Sequence, residues 1–147
     1  MAKQLISNTD ELITLTLYYK VKVNKYGIRQ YKVLEEDEGK SLLAKGDKDV
    51  DTLVTKWAVP KWKTNSHIMR SSTFYNPADG TNRVDWSKYQ ENVFKTCLKD
   101  WDVVDENNSP IPVNQDTIGS LPPIIASALL DKYDKSLAIE DDERKKS

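Results

Sequence analysis

From Leu12 to Val23 the chain alternates with strict period two. Ile13, Leu15, Leu17, Tyr19, Val21 and Val23 fall on one side, and Thr14, Thr16, Tyr18, Lys20 and Lys22 on the other. An extended backbone sends successive side chains to opposite faces, so this pattern predicts a half-buried strand. Asn24-Lys25-Tyr26-Gly27 supplies turn chemistry, with Gly27 free to take a positive φ. Ile28–Leu34 then reads as the returning strand of a hairpin. A lone hairpin is marginal in water. This one must pack on helices or on another chain's sheet.

The chain has 147 residues, a length that fits one domain with a real core. The expectation is a single α+β domain over 1–139, an N-terminal β-hairpin packed on a small bundle of amphipathic helices. A charged tail over 140–147 follows, which can bury nothing and is expected to be disordered. The run Glu35-Glu36-Asp37-Glu38-Gly39-Lys40 is charged and leads into a short helix through Ala44. Val50, Leu53, Val54, Trp57 and Ala58 share one helical face, and Val59-Pro60 ends that element because proline disfavours helix before it. Residues 61–84 read as irregular, with a strong turn at Asn76-Pro77-Ala78-Asp79-Gly80 and a strand concealed at His67–Phe74. The best helix begins at Asp85 as its cap, with Val84 and Tyr89 placed for a hydrophobic staple. Its buried stripe is Trp86, Tyr89, Val93, Cys97 and Trp101, widened by Phe94 and Leu98. Asn114 caps a short turn holding Ile118. Pro122-Pro123 opens a last helix whose stripe is Ile125, Leu129 and Tyr133. The core is therefore expected to gather Trp86, Tyr89, Val93, Leu98, Trp101, Ile125 and Leu129.

Catalytic candidates are few. The chain has one histidine, His67, and one cysteine, Cys97. His67 sits in a polar stretch with no nucleophile motif about it. Cys97 lies on an apolar face, where a thiol is packing rather than a nucleophile. The acidic runs lack the alternating oxygen ligands of a calcium loop, and the scattered glycines make no phosphate loop. No enzyme activity, metal or cofactor is expected. With 22 basic and 23 acidic side chains the formal net charge is −1, which gives no broad field for nucleic acid or anionic lipid. No apolar run approaches the roughly 20 residues of a membrane helix, and no secretory signal is visible. A reducing cytoplasm is the expected compartment. Lys56, Lys61 and Lys63 interleave with Trp57 and Trp62, a surface on which bases could stack. Of the four tryptophans, Trp57, Trp86 and Trp101 fit helical stripes. Trp62 has no such slot, and with Lys61 and Lys63 it is the candidate partner-binding anchor.

The segment Trp86–Tyr133 carries a further pattern: Trp86, Tyr89, Val93 and Leu98-Lys99-Asp100-Trp101-Asp102, then Asp105-Glu106, Pro110-Ile111-Pro112-Val113, Ile118, Leu121-Pro122-Pro123, Ile125-Ala126 and Leu129. It resembles a block found in tail assembly chaperones and related small tail-region proteins of tailed bacteriophages. In that block a helix ends in a tryptophan, an acidic turn leads to a proline-flanked extended piece, and a Leu-Pro-Pro step opens the last helix. Asn107-Asn108-Ser109 stands here where such blocks often carry an aspartate-glycine turn. The resemblance implies a non-enzymatic protein of the infected host's cytoplasm that binds tape-measure or tail-tube proteins, and a possible homo-oligomer. The alternatives are a structural virion component of the neck or tail, with the hairpin added to a neighbour's sheet, and a small nucleic-acid-binding or host-inhibiting protein using the Lys-Trp segment.

Overall fold

The computed structural model describes residues 5–6 and 11–138. The elements run β1 (Leu12–Val23), β2 (Arg29–Leu34), α1 (Glu36–Ala44), β3 (Val50–Ala58), α2 (Trp62–Ser71), β4 (Thr73–Asn76), β5 (Thr81–Val84), α3 (Trp86–Cys97), β6 (Leu98–Trp101), α4 (Gln115–Gly119) and α5 (Pro123–Ser136). The class is α+β. Four strands form an antiparallel sheet in the order β2-β1-β3-β6, and β4 and β5 pair separately. The strand β1 that the alternation predicts is therefore interior. It pairs with β2 over Tyr18–Val23 and with β3 over Leu12–Lys20. Gly27 takes φ 78° in the turn, where the side chain of Asn24 accepts from the N–H groups of Tyr26 and Ile28. The expected charged tail, 140–147, lies outside the described residues.

The helices lie on the sheet rather than in one bundle. Trp57 of β3 stacks on Tyr133 of α5 at 4.5 Å and meets Phe94 of α3 at 5.6 Å, so both helices cover the face carrying Leu17, Leu53 and Trp57. The opposite face carries α1, whose buried Gly39 lies against the side chain of Tyr18.

This two-sided cover explains the main correction. Val50–Ala58 is a strand, where the apolar spacing predicts a helix. A strand with helices on both faces buries residues of both parities. Val50 is buried on the α1 side, while Leu53, Thr55 and Trp57 are buried on the face where Trp57 meets α3 and α5. Their positions together mimic a helical stripe. The residue types are the better guide, since Val50, Thr52, Val54 and Thr55 are β-branched and stiff at χ1.

Three further expectations change. Residues 61–84 hold α2 and the β4–β5 hairpin rather than an irregular loop with a strand at His67–Phe74. Only Ile68 of α2 is buried, so no apolar period marks that helix. Its far end is tied by Ser72, which is 2% exposed. The Ser72 hydroxyl donates to the Ile68 carbonyl and accepts from Asn92 of α3. Helix α3 stops at Cys97, and Trp101 lies on β6 opposite Thr55. Trp101 is still buried, and its indole N–H donates to the Ile111 carbonyl at 2.6 Å. Trp86, expected in the core, is 63% exposed at the first turn of α3. The caps at Asp85 and Asn114 are as read from the sequence: each side chain accepts from the backbone N–H three residues on, and Thr117 completes a capping box with Asn114.

Candidate partner-binding site

Trp62 stands where β3 hands over to α2. Pro60 cannot continue a ladder because it has no N–H. Lys61 is extended at φ −87°, ψ 164°, and Trp62 takes the first helical position. A residue there projects before the helix reaches its packing partner. Trp62 is accordingly 85% exposed, against 0% for Trp57 five residues earlier. The sequence places Trp62 on irregular backbone; the structure gives it a helical one, and its exposure agrees with its lack of a core slot.

Lys61, Trp62 and Lys63 come together at one concavity of about 590 Å³, lined also by Leu5, Ile6, Glu11, Val59 and Pro60. Lys61 and Lys63 are both exposed. The first turn of α2 contains no acidic residue and Lys61 makes no side-chain cap. The partial positive charge of the helix N-terminus therefore adds to the two ammonium groups. Among the described residues that line it, Glu11 brings a carboxylate. Apolar side chains, two lysines and Glu11 thus share one corner.

The sequence reading missed Trp86. It rests edge-on against Tyr89, with ring centroids 5.5 Å apart and planes at 76°. Its spacing from Val93 is helical, but the capping position of Asp85 is the signal that it lies in a first turn, beyond the core. The Lys-Trp stacking surface is not assembled either. Trp57 is buried while Lys56 is exposed, since adjacent strand residues point oppositely.

The titratable groups follow their surroundings. His67 is exposed on α2. Cys97 is 1% exposed, and burial pushes its thiol up from the usual range, away from the thiolate. Burial also raises the Tyr133 phenol, whose hydroxyl donates to the Ala58 carbonyl at 2.7 Å. Among the described residues no group of three or more His, Cys, Asp or Glu is arranged to hold a metal ion, and no helix is long and apolar enough to cross a membrane. The chain matches no protein-family model, no curated protein and no solved structure.

Proposed function

We propose that the chain is a non-enzymatic protein-binding protein that captures its partner at the Trp62 corner. The resemblance of Trp86–Tyr133 to tail assembly chaperones suggests the partner: a helical tape-measure or tail-tube protein, met in the cytoplasm of an infected host. The observation that carries the reading is the 85% exposure of Trp62 in a concavity edged by Lys61 and Lys63. An exposed ring set in a concavity is contact area that a partner can desolvate, and an aromatic anchor with a charged rim is a common form of binding hot spot. A helix with an apolar stripe and acidic borders suits it. The ring supplies desolvated contact area, and the lysines orient the approach. Base stacking is less well served, because Trp57 is inaccessible and Trp62 would have to act alone.

Changing Trp62 to alanine should leave the far-ultraviolet circular dichroism unchanged, since the side chain contributes little to the core. Affinity for a tape-measure fragment, measured by calorimetric titration, should fall by about 2 kcal/mol or more, the usual hot-spot scale. A folded variant that binds as tightly as the parent removes Trp62 from the interface.

A further inference from the structure

The long strand β1 is only partly covered on its β2 side. Strand β2 ends at Leu34, opposite Tyr18, and the chain then turns away into α1. Among the described residues no strand fills the lane beside Leu12–Leu17. In an antiparallel ladder each residue directs both its N–H and its C=O to one neighbour, alternating along the strand. The parity can be read from the ends of the ladders. Val59 N–H donates to Glu11 C=O and Val21 N–H to Asp49 C=O, so the odd residues of β1 bond to the β3 side. Asn24 N–H donates to Ile28 C=O in register with the β1–β2 pairs, so the even residues face β2. Leu12, Thr14 and Thr16 therefore aim six backbone polar groups into the open lane. Among the described residues none of the three bonds a partner on that side.

A groove of about 490 Å³ runs along this edge, with Leu15 and Leu17 of β1, Leu34 at the end of β2 and Ala128 of α5 among its walls. The sheet's other free edges are charged, Arg29 and Lys32 on β2 and Lys99 and Asp100 on β6, a usual defence against strand addition. The segment Leu12-Ile13-Thr14-Leu15-Thr16-Leu17 has no charge, proline or glycine. We propose that this edge is a homodimer seam, at which Leu12–Leu17 of a second copy adds antiparallel to β1 in a register centred on Thr14.

That register answers the backbone without remainder. Leu12 faces Thr16 of the second copy, Thr14 faces Thr14, and Thr16 faces Leu12. These are the hydrogen-bonded pairs, so every group in the open lane meets its complement. Ile13 then lies opposite Leu15 of the other copy on the helix-covered face. Apolar side chains meet there, as cross-strand packing favours. The groove's rim carries both signs, Glu36 and Asp131 against Lys132 and Lys135, so two copies meet a mixed border rather than a field of one sign. The chain's own ends fit less well. Residues 139–147 contain Ile139 as their sole apolar side chain, and Leu5 and Ile6 lie at the Trp62 corner.

Sedimentation of the full chain tests the seam. The expected result is a dimer that dissociates on dilution; the mass of a single copy at every concentration up to the millimolar range would overturn it. Thr14→Pro removes an edge N–H while sparing the bonds to β3, which belong to Ile13 and Leu15. It should keep the circular dichroism of the parent and lose the dimer. A folded Thr14→Pro chain that still dimerises would place the interface elsewhere and overturn the proposal. Amide exchange on the unaltered protein decides the matter even if the proline variant does not fold. Protection of the Leu12, Thr14 and Thr16 amides should rise with protein concentration, and fast exchange at all concentrations would refute the seam.

Discussion

Among the described residues Thr55 is the most deeply buried polar one, at 0% exposure. Its hydroxyl accepts from the Trp57 indole N–H at 2.7 Å and donates to the Leu15 carbonyl at 3.3 Å. Both Trp57 and Thr55 face the helices because they are two apart on a strand. The hydroxyl lets a tryptophan be wholly buried without stranding its one donor, which would cost far more than the packing of a methyl returns. Replacing Thr55 with valine keeps the shape and removes the acceptor. The expected loss is about 1–3 kcal/mol, the desolvation cost of a buried donor left unpaired. Urea denaturation should show a lower midpoint with an unchanged slope. An unchanged midpoint would mean that the indole finds another acceptor.

At the scale of elements, Gly39 shows how closely α1 must approach β1. It lies inside a nine-residue helix, where alanine would ordinarily be better by roughly 0.5–1 kcal/mol. Here a Cβ would overlap the Cβ and Cγ of Tyr18. The Cβ is fixed to the β1 backbone and cannot swing aside, so α1 itself would have to move. Overpacking of that kind typically costs about 1–3 kcal/mol, which exceeds the gain in helix propensity. Gly39→Ala should therefore be destabilising in a thermal melt. A rise in melting temperature would show that α1 rides loosely on the sheet. The acidic run Glu36-Asp37-Glu38 is placed with equal economy. It occupies the first turn of α1, where it opposes the helix dipole, and Glu36 pairs with Lys40 at 2.9 Å.

Over the whole molecule, long-range ties converge on the helix-covered face of the sheet. The Tyr133 hydroxyl bonds a carbonyl 75 residues away in sequence, and its ring stacks on Trp57. Near the other end of that face, burial and then the negative charge of Asp51 push the Tyr19 phenol from 10.0 up to about 12. The folded state thus favours the neutral phenol. The stability this represents is fully present below pH 10.0 and is lost as pH rises through about 12, because the unfolded chain ionises first. Chemical denaturation across that interval should show stability falling with pH, and Tyr19→Phe should make the fall shallower. An identical pH dependence in the variant would mean that the phenol ionises equally well in the folded protein.

What local rules could decide, the sequence by itself determined. The alternation of Leu12–Val23, the turn at Asn24–Gly27, the caps at Asp85 and Asn114 and the proline start of α5 each depend on neighbours within a few residues. Each stands in the structure as read. The exposure of Trp62 was legible in the same way, by the lack of any stripe to receive it. Three things were decided only in three dimensions. Val50–Ala58 spaces its apolar residues like a helical face because cover on both faces buries both parities, and periodicity alone cannot tell that pattern from a helix. Helix α2 could form with one buried residue because Ser72 and Asn92 anchor its end to α3. Trp86 shares the spacing of a core stripe, yet it is exposed at the first turn of α3. Spacing fixes which residues share a face; only the tertiary structure decides how far along that face there is something to bury it.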